Sequence, residues 1–100
     1  MGLERIISLP VGTALAWERI CSSLREAGEV PVVRMIDGLP AFPDETPAED
    51  WKELRLGLSG GMVTLRRTAS EISCICWGTD DADLKRSFEK VIRACQFAAD

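Results

Sequence analysis

The chain contains no histidine, no tyrosine and no asparagine, and its one glutamine is Gln96. Without an imidazole there is no Ser–His–Asp or Cys–His nucleophile system, no histidine metal ligand and no histidine pH switch. A long hydrophobic run is also missing. Ile6 to Trp17 is mostly apolar, but Pro10 and Gly12 interrupt it and it is too short to span a bilayer. Within that run Ala14-Leu15-Ala16 imitates a small-residue cleavage site, yet Glu4 cancels Arg5, so the stretch does not read as a leader. Ile6 stands where a myristoylation motif wants Ser or Thr. The expectation is a cytoplasmic protein with no membrane partner.

A surplus of positive charge is the third thing lacking. The formal charge is −4, and the acidity is concentrated in one segment. Asp37, Asp44, Glu45, Glu49, Asp50 and Glu53 crowd into residues 37–53 with Lys52 as the one base. Phosphate neutralisation supplies most nucleic-acid affinity, so this balance argues against a nucleic-acid partner. Nine of the twelve bases are Arg, a residue suited to planar, paired or stacked contacts.

What is present is ordinary globular material. The 100 residues are 46% hydrophobic and 28% charged, which fits a single domain over 1–100 with one modest core. Four cysteines, Cys21, Cys74, Cys76 and Cys95, lack the C-x₂-C spacing of a zinc knuckle. They read as reduced, buried thiols acting as small hydrophobes. No metal or other cofactor is expected.

Glu4 to Leu9 reads as a short strand. Trp17, Ile20, Cys21 and Leu24 then recur at helical spacing, which predicts a helix over 13–27 capped by Thr13 and stopped at Gly28. Val30 to Ile36 is β-branched and strand-like. Asp37 to Asp50, with Pro40, Pro43 and Pro47, reads as a loop in which Phe42 anchors to the core.

The clearest pattern follows. Leu54, Leu56 and Leu58 alternate with Arg55, Gly57 and Ser59, the period of a half-buried strand. Gly60-Gly61 predicts a two-residue hairpin turn, with Val63 and Leu65 on the return strand. After a turn near Thr68-Ala69, Ile72, Cys74 and Cys76 alternate with Glu71, Ser73, Ile75 and Trp77. Thr79 would cap a last helix over about 80–97, whose apolar stripe is Leu84, Phe88, Val91, Ile92 and Cys95.

The order is β-α-β-β-β-β-α. Two amphipathic helices and strands with one apolar face predict an α+β two-layer sandwich, with an antiparallel sheet of four to five strands and both helices on one side. Its inner layer would hold Trp17, Ile20, Leu24, Leu54, Leu56, Val63, Leu65, Ile72, Cys74, Cys76, Phe88, Ile92 and Cys95. The topology resembles a single repeat of the TATA-binding-protein-like fold and, more loosely, the helix-grip folds; it brings no site residue with it.

The face opposite the helices should present Glu53, Arg55, Thr64, Arg66, Glu71, Ser73, Ile75 and Trp77. It is either a solvated surface laced with Arg–Glu pairs or a contact surface. Trp77 and Ile75 would supply the apolar anchor, with Arg55, Arg66 and Glu71 around them, residue types that carry specificity at interfaces. The acidic loop lacks the spaced ligands and turn glycine of a calcium site. No acid lies within an apolar strand or helix stripe, and no cysteine has an adjacent base, so no catalytic residue is identified. The resulting expectation is a non-catalytic protein-interaction module, a homodimer through its open face or a sheet edge. The alternative is a small-ligand or enzyme pocket between the sheet and the C-terminal helix.

Overall fold

A computed structural model describes residues 2–10, 15–42, 45–77 and 82–99. Eight elements follow the chain: β1 (Gly2–Ser8), α1 (Trp17–Glu26), β2 (Val32–Ile36), β3 (Leu39–Pro40), β4 (Glu53–Leu58), β5 (Gly61–Arg67), β6 (Glu71–Trp77) and α2 (Ala82–Ala99). The six strands form one sheet in the order β1-β6-β5-β4-β2-β3, every pair antiparallel. The last long strand thus returns beside the first, and β5 is the middle one of the five long strands. The expected two-layer α+β architecture is observed, with six strands rather than four to five.

The period-2 alternation decides which face is covered. Leu54, Leu56, Val63, Leu65, Ile72, Cys74 and Cys76 point inward and are at most 1% exposed. Ile20 and Leu24 of α1, with Leu84, Phe88, Val91, Ile92 and Cys95 of α2, complete the same core cluster. Each such side chain contributes about 1.5–3 kcal/mol by leaving water, so this layer carries most of the stability. All thirteen residues assigned to the inner layer from the sequence are buried.

Helix ends differ in part from expectation. Gly28 takes φ 89°, the left-handed geometry that ends α1. The start is later than predicted: α1 begins at Trp17 after Ala16, which offers no side-chain cap. Thr13 and Thr79, expected as caps, and the Asp44 of the acidic loop lie outside the described residues. The last turn of α2 has no base of its own. Arg19 of α1 supplies one, donating from its guanidinium to the Ala98 carbonyl at 3.2 Å and lying 5.5 Å from the Phe97 ring centre. The two helices are therefore coupled at that end.

Three loop expectations need correction. The segment 37–50 is not all loop, because Asp37 (φ 50°) and Gly38 (φ 83°) form a two-residue turn that pairs β3 with β2. Phe42 is not the core anchor; it is 74% exposed, and Trp51 at 1% fills that role. The β4–β5 turn is Ser59-Gly60, one residue earlier than predicted, with Leu58 opposite Gly61. Only Gly61 of that glycine pair has positive φ. Gly60 is needed for another reason: a Cβ there would sit 2.2 Å from the Asp83 carbonyl oxygen at the start of α2. The glycine lets the hairpin tip close against that helix.

Candidate functional site

The uncovered face is built from four rows across the strands. Glu4, Ile75, Thr64, Arg55 and Met35 make one row, and Ile6, Ser73, Arg66 and Glu53 the next. Gly2 and Trp77 face each other in a third, as do Met62, Gly57 and Val32 further along it. Ser8 and Glu71 close the β1–β6 end. All five sequence-predicted residues, Arg55, Arg66, Glu71, Ile75 and Trp77, lie on this one face. Its apolar part is exposed: Trp77 at 73%, Ile6 at 55% and Met62 at 43%, with Ile75 half-buried beside them. A shallow hollow of about 340 Å³ is lined by Gly2, Leu3, Glu4, Arg66, Ile75 and Trp77.

Thr64 departs from the expected open position. It sits mid-sheet between Arg55 and Ile75, and these neighbours reduce its exposure to 9%. Arg66 donates from Nε to Glu53 Oε2 at 2.8 Å, one cross-strand Arg–Glu pair of the kind a solvated face would carry. Both partners are solvated, so the pair is worth a few tenths to ~1 kcal/mol and orients the guanidinium more than it stabilises the sheet.

Neighbouring Arg67 turns the other way, onto the covered face. Its guanidinium stacks 4.6 Å from the Trp51 ring centre and donates to the carbonyls of Leu15 and Glu49. This arginine closes the end of the core.

A second polar cluster has chemistry worth weighing. Glu29, in the link between α1 and β2, is 2% exposed. It accepts from the Ser59 backbone N–H at 3.0 Å, from the Ser59 hydroxyl at 2.8 Å, from the Ser87 hydroxyl at 3.1 Å and from Lys90 Nζ at 3.3 Å. Burial pushes its carboxyl up, but these donors outweigh burial and hold it below the ordinary value. The absence of an acid from every apolar stripe therefore did not mean the absence of a buried acid. Every neighbour of this carboxylate donates to it, and Ser87 also accepts from Gly60 N–H at 3.1 Å. The cluster ties the α1–β2 link, the β4–β5 turn and α2 together. It is an internal clasp.

The thiols are equally internal. No disulfide joins the four cysteines; Cys74, Cys76 and Cys95 are buried and Cys21 half-buried. The Cys74 thiol and burial push Cys95 well up, and burial pushes Cys76 up, so neither is a thiolate at neutral pH. Among the described residues, no three Cys, Asp or Glu side chains gather as a metal site, and no helix is long and apolar enough to cross a membrane. Between sheet and α2, where the alternative reading puts a pocket, Val63, Leu65, Ile72, Cys74, Phe88, Val91, Ile92 and Cys95 are at most 2% exposed. No family model matches the chain, nor does any curated protein or solved structure.

Proposed function

We propose that this protein is a non-catalytic interaction module that self-associates through the open face of its sheet. One observation carries the reading: Trp77, the largest apolar side chain on that face, is 73% exposed near Met62 and Ile75, with Ile6 exposed two rows further along the same face. An indole in water forgoes an apolar stabilisation of a few kcal/mol that a partner can supply, and Trp and Arg are enriched where partners bind tightly. Arg55, Arg66, Glu53 and Glu71 give the patch a polar rim. The four unpaired thiols suit a reducing compartment and support a cytoplasmic location.

Size sets the strength. Five strands about 4.8 Å apart, with five to seven residues at ~3.4 Å each, offer a flat footprint on the order of 500 Å² per copy. That is near the lower limit for specific contacts, so the expected association is reversible with a micromolar Kd. Sedimentation velocity between about 1 and 500 μM tests this. The native chain should shift from monomer to dimer, and Trp77→Ala should remain monomeric. A native chain that is monomeric throughout, or a dimer indifferent to Trp77→Ala, overturns the reading.

A further inference from the structure

We infer that the β1 edge of the sheet takes up an extended segment of a partner protein as a further antiparallel strand, with basic residues on its open-face side and an acidic residue on its helix side. This is a second contact surface, and it does not require the self-association proposed above.

The two edges of the sheet are built differently. At one, β3 is two residues long and carries Pro40, which blunts it. At the other, β1 runs for seven residues without a proline, and all but Ile7 are exposed. Its outer backbone is unpaired. Leu9 donates to the Ser70 carbonyl in the β1–β6 register, so Leu3, Arg5 and Ile7 turn their N–H and C=O groups toward β6. Gly2, Glu4, Ile6 and Ser8 turn theirs outward, where no described residue pairs with them. A strand laid alongside can satisfy each of those groups.

Side chains of β6 reach over this edge. A Cβ at Gly2 would lie 2.8 Å from the Trp77 ring, so the indole lies across the bare backbone of β1, toward the outside. An apolar side chain opposite Gly2 on an added strand meets that ring. At the other end Ser8 is small, and Glu71 behind it is within reach of a long basic side chain.

Charge decides what the strand is. Glu4 lies on the open face and Arg5 on the helix side, because they stand opposite Ile75 and Cys74. A second copy of β1 fits poorly. Laid antiparallel with matching faces, it centres on Glu4, Arg5 or Ile6. The first two registers oppose like charges directly, and the third sets Gly2 against Pro10, which has no N–H. The complement, taken from opposite Ser8 back to opposite Gly2, is basic, apolar, apolar, acidic, basic, apolar, apolar. Its first basic residue meets Glu71, its acid meets Arg5 and its second basic residue meets Glu4.

The probe is the peptide acetyl-Lys-Leu-Val-Glu-Lys-Val-Leu-amide, titrated into dilute isotope-labelled protein and followed by NMR and amide hydrogen exchange. Saturable binding with a Kd below about 1 mM is expected. At saturation the amides of Glu4, Ile6 and Ser8 should exchange about tenfold more slowly, while those of Arg5 and Ile7, already paired with β6, should not change. Face-to-face dimerisation leaves the outward amides unpaired, so this readout separates the two contacts. The same peptide with Lys and Glu exchanged should bind about tenfold more weakly, and the double variant Glu4→Arg, Arg5→Glu should reverse that preference. Ile6→Pro removes an N–H that β6 does not use, so the variant should keep its circular dichroism and weaken binding by about tenfold or more. Absence of binding, binding that leaves the three outward amides unslowed, or a folded Ile6→Pro variant that binds like the native chain overturns the inference. Equal affinity for the two peptides overturns the stated partner.

Discussion

The two faces of one sheet are made from adjacent residues of the same strands, yet they have opposite fates. Leu65 is sealed beneath helices while Arg66 stands in water; Cys76 is 1% exposed and Trp77 73%. Helices cover one side because their apolar stripes match it. On the other side no element among the described residues packs, and the largest side chain there is an indole. The covered face explains stability, and the uncovered one, with Trp77 exposed at the end of β6, carries the proposed contact.

The largest effect should come from the covered face. Phe88→Ala removes a ring that is 2% exposed in the middle of α2, and should cost roughly 3–5 kcal/mol in urea unfolding. A loss below about 1 kcal/mol would mean that the helix does not pack as described.

The Glu29 clasp comes next. Glu29→Gln loses the charge that Ser59, Ser87 and Lys90 donate to, and should cost about 1–3 kcal/mol at neutral pH. The pH dependence has a definite sign. A carboxyl held below its ordinary value of 4.5 stabilises the fold above that pH, and the contribution fades as pH falls through the folded value. The deficit of Glu29→Gln relative to the native chain should therefore shrink in acid, as read from unfolding midpoints between about pH 7 and 3. A constant deficit would mean that the carboxyl is not held low by these donors.

The open face should be quiet in the same assay. Arg66→Ala breaks a solvated pair and should cost less than ~1 kcal/mol, and Trp77→Ala should stay within about 0.5 kcal/mol in dilute protein. A large loss from Trp77→Ala in the monomer would erase the contrast between the faces.

The sheet was legible because alternation is a local signal. Leu54, Leu56, Val63, Leu65, Ile72 and Cys74 announce both the strands and the side that faces inward, and the five face residues followed from the same parity. The apolar stripe of α2 was legible for the same reason. Glu29 was not legible, since its partners lie 30, 58 and 61 residues further along the chain. Phe42 and Trp51 could not be told apart, because a loop side chain has no period to give its direction. The β2–β3 turn did carry a signal: Asp37-Gly38 between Ile36 and Leu39 is a hairpin dipeptide, hidden among the prolines and acids of its segment.

Acrylamide quenching of tryptophan fluorescence across a dilution series tests the central claim most directly. Trp17 and Trp51 are buried within the fold, at 9% and 1%, so Trp77 is the one indole that solvent reaches freely. The account predicts a quenchable fraction at about 1 μM that disappears near 500 μM as the open faces meet. Equal quenching at both concentrations would show that Trp77 stays in water, and that the open face is not where this protein finds its partner.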